Sequence, residues 1–465
     1  MNPSVFHHVL SAFISERYPY TKSHPIENPD LLKSWGLDPK IYRPLPRQTF
    51  HEELGIAEIK GPFQDLQLLK KHLIDSAVLS LYTHAPPRRS IILFTWVYWD
   101  GWGDYYAQLD CAKLLRERLG DHEITLVTCL RKTQPPTETL PNQHFVFFEK
   151  GSKPQFPPFL LKKMQASHLL FQFPTYYPHT DALMEELGPQ LKYEFLGESG
   201  FIDTPDYHPQ CGRRCMGLHF LEKGVLIKSV PPKKKGPPYY FAYTRSAEGL
   251  YHYIQALISW KQTDLSICVF KIEHVLNVVK QGIPGVKQAE IFIDHTVTTV
   301  PLAETGILLR FDVKQKVSHR VFLTLLNESE DFVACTGDGS LFEAISCGKI
   351  FYYDTPQHKK NFLEDLVALA TTRTPQALPF FKNPAAVQDI AVRKALFELT
   401  AIIQREHAVN ETLCQIIRRA LCHQAVPELE QHEQRILTSF SKGEIDAPEA
   451  LNAIHKTLNL LIPKA

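Results

Sequence analysis

The sequence predicts an α/β protein of two doubly wound domains facing one another across a cleft, with helical segments added at both ends. Three observations lead there. Continuous apolar runs alternate with longer amphipathic stretches, the rhythm of parallel strands buried on both faces. A proline- and lysine-rich break, Pro231 to Pro238, divides that rhythm in two. At 465 residues the chain also exceeds the roughly 250–300 that one core supports.

Residues 1–85 read as a helical N-terminal extension, with Val5, Phe6, Val9, Leu10 and Phe13, then Leu66, Leu69 and Leu73, at helical spacing. Residues 86–230 form the first sheet domain, with strands expected at Ile91–Trp99, Ile124–Leu130, Phe145–Phe148, Leu169–Phe173 and Tyr193–Leu196. Its first unit is the clearest. A helix from about Asp104 to Leu119 is expected, with Asp104 at its start, Arg116 and Arg118 at its end, and Gly120 as its stop. Residues 231–238 make a stiff, solvated linker. Residues 239–384 form the second sheet domain, with strands at Tyr239–Tyr243, Leu265–Phe270, Ile291–Ile293, Ile307–Phe311, Phe332–Cys335 and Ile350–Tyr353, and residues 385–465 are helical.

Composition narrows the partners. Lys and Arg number 51 against 50 Asp and Glu, so no global field favours nucleic acid or an anionic membrane, and neither is expected as a partner. The first twenty residues lack a basic leader before an apolar run, and no stretch approaches the ~18 apolar residues of a membrane span. Nine cysteines in a long chain suit reduced thiols and a cytoplasmic setting. The terminal helices and the Pro427–Arg435 tract are also compatible with an exported bacterial effector acting in a host cell.

The segment from Cys335 to Glu343 carries the most chemistry. A short apolar run breaks at Gly337 and Gly339 and restarts as a helix, with Ser340 and Glu343 at the spacing of a capping box. Glycines allow close approach of a ligand, and first-turn amides point at negative charge, so a diphosphate suits this turn. The residues placed to face that diphosphate are Gly337, Gly339, Ser340 and Leu341, mostly through backbone N–H groups, so no metal and no cofactor is required. The turn lacks the full pattern of a P-loop, and Lys349 lies beyond the helix.

Two segments together resemble the protein-arginine rhamnosyltransferases that modify translation elongation factor P. Trp99 to Asp104 is similar to that family's Asp-Asn-Tyr-Gly-Asp turn. Thr336 to Leu341, with Ala344 and Gly348-Lys349, resembles its Arg-Gly-Glu-Asp-Ser-Phe turn, and Tyr193–Glu198, Phe241–Tyr243 and Pro356–His358 are weaker echoes. The resemblance implies the GT-B architecture, two Rossmann-like domains with the nucleotide sugar held mainly by the second. It also implies an inverting glycosyltransferase acting on a protein or small-molecule acceptor. Thr336, Asp338 and Gly339 depart from the family's Arg, Glu and Asp, so neither rhamnose nor an arginine acceptor carries over. The departures also keep open a non-catalytic binding module, or an epimerase or hydrolase.

By that resemblance Asp100 and Asp104 serve as general base or acceptor clamp, and Asp338 contacts ribose, phosphate or sugar. Two close carboxylates also push one pKa upward. Tyr243 is placed to stack on the base, although buried strand tyrosine is its commoner fate. Of the aromatic run from Trp96 to Tyr106, only Trp102 lies in a loop and suits a sugar ring. His208, Cys211, Cys215 and His219 are zinc-type ligands, but their spacing is looser than that of common zinc sites, and loop cysteines are the simpler reading.

Overall fold

The structure is a computed structural model. It describes residues 89–421, except 99–101, 121, 132–135, 137, 150–151, 176, 178, 189, 200–214, 219–222, 235 and 316, together with Ser439 and Glu444. The expected N-terminal helical extension, Asp100 and the 427–435 tract therefore lie outside the described residues.

The first domain is β1 (Ser90–Val97), α1 (Gly103–Arg118), β2 (Glu123–Leu130), β3 (Gln143–Phe147), α2 (Pro158–Gln165), β4 (Leu169–Gln172), α3 (His179–Leu187) and β5 (Lys192–Phe195). All five strands are parallel, in the order β3-β2-β1-β4-β5. Alternate β1 side chains fill two cores. Ile91 and Leu93 pack with Tyr105 and Leu109 of α1, while Ile92, Phe94 and Trp96 pack with Met164 of α2 and Leu183 of α3. Burial of both faces is why these strands read as unbroken apolar runs.

The second domain contains β6 (Tyr240–Ala242), α4 (Ala247–Lys261), β7 (Leu265–Val269), α5 (Ile272–Gln281), β8 (Val286–Ile293), β9 (Thr296–Pro301), β10 (Ile307–Val313), α6 (His319–Glu328), β11 (Phe332–Cys335), α7 (Gly337–Ser346) and β12 (Ile350–Tyr353). Its strand order is β12-β11-β6-β7-β10-β8-β9. Only β9 runs antiparallel among these strands. The sequence reading lacked β9, because this edge strand of Thr and Val is exposed along nearly its whole length and carries no apolar run.

After β12 come α8 (Lys360–Arg373), α9 (Leu378–Lys382), α10 (Ile390–Glu406) and α11 (Asn410–Leu421). The C-terminal helices are not a separate appendage: α10 packs on the second domain and α11 returns to β4, β5 and α1 of the first. The chain thus crosses between domains twice, and the two crossings bond to each other. Val225 N–H donates to the His407 carbonyl and Val409 N–H to the Val225 carbonyl. Asn410 brackets Ile227, accepting from its N–H at 2.9 Å and donating to its carbonyl at 2.6 Å. Two parallel-sheet domains joined and opposed in this way constitute the GT-B fold.

Candidate active site

In open α/β sheets, ligands bind beyond the carboxyl ends of the strands, where the strand order reverses. The first sheet reverses between β1 and β4, the second between β6 and β11. The loops that leave these strands converge. A Cβ built on Gly339, in the first turn of α7, would lie 3.8 Å from the Gly103 Cα at the start of α1. The two glycine turns singled out in the sequence therefore touch across the cleft, amino end to amino end.

A charge cluster lies at this junction. Lys359, which follows β12, has a side chain only 2% exposed and donates from Nζ to Glu198 Oε2 and Asp338 Oδ2, each at 2.9 Å. It also donates to the Ser199 carbonyl at 2.9 Å. Ser199 in turn donates to Asp338 Oδ2 from its N–H at 3.2 Å and its Oγ at 2.8 Å. Thr175, beyond β4, donates to Glu198 Oε1 at 3.3 Å. The first domain thus supplies Thr175, Glu198 and Ser199 from loops and Asp104 from the first turn of α1, and the second supplies Asp338 from the first turn of α7 and Lys359 from beyond β12.

Burial, followed by the neighbouring Glu198 carboxylate, pushes the Asp104 carboxyl up to about 8; the Thr175 hydroxyl and the Lys359 ammonium oppose the rise, and Asp338 adds to it. Asp104 is thus a carboxyl group poised to exchange a proton near neutrality. It lies in the first turn of α1, as the sequence suggests, but does not cap the helix. Helix α1 begins at Gly103, with Trp102 at the N-cap position and no side-chain cap bond.

The helix α7 likewise begins earlier than a Ser340 cap implies. Thr336 is its N-cap residue, and Gly337 takes φ +71°, which favours glycine. Ser340 reaches back, accepting from the Thr336 N–H at 3.1 Å and donating to the Thr336 carbonyl at 2.7 Å. The amides left outside the helical ladder are those of Gly337, Asp338 and Gly339. Ser340 and Leu341 lie past that turn, where their own amides bond within the helix, and the Leu341 side chain is fully buried. The first-turn amides left open are thus those of Gly337, Asp338 and Gly339, whereas the sequence reading took Gly337, Gly339, Ser340 and Leu341. Nothing within 4 Å would meet a Cβ on Gly337, so its surroundings are open.

Glu343 does not complete a capping box either. It accepts from Lys228 Nζ at 2.7 Å and pairs with His319 Nε2 at 2.5 Å, and Lys228 also reaches Asp110 of α1 at 3.1 Å. Burial alone would raise the Glu343 pKa, but Lys228 and His319 together hold it below the usual glutamate range. The His319 ring stacks on Tyr106 of α1, centroids 4.0 Å apart. This second network also joins the two domains.

Tyr243, at the end of β6, packs edge-on against Phe270 and Phe322 and lines a shallow cleft with Thr244, Lys271 and His274. Trp96 and Tyr105 are core, and partly buried Trp102 stands edge-on to Tyr105. Cys215 is buried and bridges to Gly197, while His208, Cys211 and His219 lie outside the described residues. Sequence reasoning missed Thr175, Ser199, Lys228, His319 and Lys359. The only available signal was position: Thr175 and Ser199 follow strand ends, and Lys359 follows the Pro356–His358 echo.

No protein-family model matches this sequence, and no curated protein matches it. Solved structures resemble it in outline. An alpha-glucosyltransferase in complex with UDP and a 13-mer DNA is 11% identical, with a TM-score of 0.39, covering 75% of this chain and 100% of that one. The glycotransferase of kitacinnamycin is 12% identical at TM-score 0.40, covering 72% and 100%. The glycosyltransferase SnogD from Streptomyces nogalater is 11% identical at TM-score 0.34, covering 71% and 99%. The exclusion of nucleic acid drawn from balanced charge does not stand, because a net charge is a sum, whereas contacts are made by local faces; the first of these structures is itself a complex with DNA. No described helix is long and apolar enough to cross a membrane.

Proposed function

We propose that this chain is a glycosyltransferase that moves a sugar from a nucleotide-diphosphate donor to an acceptor by a single, inverting displacement. One observation carries the reading: the amino ends of α1 and α7 meet at the interdomain cleft around Asp104, a carboxyl group with a pKa pushed up to about 8. The acceptor's nucleophilic atom gives its proton to Asp104 and attacks the anomeric carbon. The bond from that carbon to the phosphate oxygen breaks, and the electron pair leaves with the diphosphate. The amides of Gly337, Asp338 and Gly339 and the positive end of α7 take up the developing charge without a metal. Tyr243, at the neighbouring strand end, borders the space for the base. The motif resemblance to the rhamnosyltransferases supports this donor placement.

Incubation with a panel of nucleotide sugars tests the reading through release of free nucleoside diphosphate. Turnover that survives EDTA and disappears in Asp104→Asn, with donor affinity retained, is the expected result. Absence of turnover and of any donor-induced thermal shift would defeat it.

A further inference from the structure

The proposed chemistry uses Asp104 and the α7 amides but gives no task to Lys359, although this lysine is almost wholly buried and tied to both lobes. Its ammonium meets Glu198 and the Ser199 carbonyl on one side and Asp338 on the other, each at 2.9 Å. Asp104 lies in the field of the same three charged side chains, Glu198, Asp338 and Lys359, and beside the Thr175 hydroxyl. Three carboxyl groups therefore share a small volume with one cation. They cannot all carry charge at equal cost, and the protons distribute according to which groups the cation engages.

We propose that Lys359 is a positioning residue that assigns roles among these carboxyl groups, engaging Glu198 and Asp338 as ion-pair partners across the cleft and so leaving Asp104 as the group that exchanges a proton with the acceptor. This rests on the reading of Asp104 as the base. A lysine suits the task because its tetrahedral donors fan out to three separate acceptors, whereas the planar fork of arginine favours one carboxylate. The geometry is also cooperative. Ser199 and Lys359 converge on one oxygen, Asp338 Oδ2, so opening the cleft would break the arrangement as a unit.

The test uses the full chain without donor or acceptor, so its result is independent of whether any sugar is transferred. Infrared spectra of protein labelled with carbon-13 in aspartate carboxyls, recorded against pH, follow Asp104, and its band is assigned by its loss in Asp104→Asn. In Lys359→Met the Asp104 titration is expected to move up by about one pH unit, the effect of removing a nearby opposite charge. Where Lys359→Met fails to fold, Glu198→Gln serves: it removes the carboxylate that, after burial, raises Asp104 most, and leaves the ammonium's field to Asp338 and Asp104, so the Asp104 titration moves down by about one unit. A titration unmoved in a folded variant overturns the assignment. Given a donor, Lys359→Met should lower kcat at neutral pH while leaving donor KM within about twofold, the signature of a lost transition-state interaction rather than lost binding. A change confined to KM also overturns the proposal. A moved titration with no turnover of any donor would sink the glycosyltransferase reading and leave the charge assignment intact.

Discussion

At the scale of single residues, Asp104 links fold to chemistry through its environment. In the free protein its carboxyl titrates near 8, raised first by burial and then by Glu198. The rate through kcat/KM should therefore rise with pH across about 8, with a single ionisation, and Asp104→Asn should flatten the profile and cost about 10²–10⁴ in rate. The same shift has a stability signature. A carboxyl raised above its unfolded value of 3.8 contributes stability that is complete below that value and is lost as pH rises through about 8. Asn cannot ionise, so the Tm of Asp104→Asn should exceed that of the parent at pH 9 and approach it near pH 5. Thermal melts at the two pH values check this, and a constant difference would show that Asp104 does not titrate in this range.

At the scale of elements, α7 shows what sequence conveys and what it hides. The strands that flank it, Phe332–Cys335 and Ile350–Tyr353, coincide with the sequence reading residue for residue, because strands buried on both faces are apolar from end to end. The helix start does not coincide. A Ser three residues before a Glu is a fair cap signal, but Gly337 takes a positive φ and starts the helix earlier, which turns Ser340 into a brace for Thr336. Glu343 was then free to serve Lys228, a partner 115 residues away. Lys359 was equally hidden, since a buried charge is identified only by the distant groups that surround it, here Glu198 at 161 residues' separation. The strand-to-helix turn and the two-domain plan were legible; the cross-cleft pairing was not. Ser340→Ala should thus cost about 0.5–2 kcal/mol, as loss of a capping bond does, and leave nucleoside diphosphate affinity unchanged. Gly339→Val should do the reverse, because its branched side chain intrudes where Gly339 meets Gly103 and its amide faces the anion. Calorimetric titration beside denaturant melts separates the two; weakened binding in Ser340→Ala would place its hydroxyl on the ligand instead.

At the scale of the whole molecule, the question is what keeps the lobes at a spacing that holds Asp104 and α7 together. Two crossings tie them, and their pairing is close. Gly224 takes φ +100°, and a Cβ there would fall 2.1 Å from the His407 carbonyl oxygen, so any side chain parts the strands. Beside this pair, Lys228 joins Asp110 of the first domain to Glu343 of the second with a side chain 3% exposed. Burial by itself would lower the Lys228 pKa, and the two carboxylates more than reverse that. Lys228→Met removes the cation and leaves Asp110 and Glu343 facing each other across the interface, with His319 as the remaining partner of Glu343. Breaking a buried pair from one side costs about 3–5 kcal/mol. Because the loss falls between the domains rather than within either sheet, it should uncouple them: urea unfolding is expected to show one transition in the parent and two in the variant. Acid should mimic the variant. Glu343 is held below its ordinary range, so its contribution is present above that range and is lost as pH falls through its folded value. A single cooperative transition in Lys228→Met, at the parent's midpoint, would mean that the crossings alone set the spacing of the lobes.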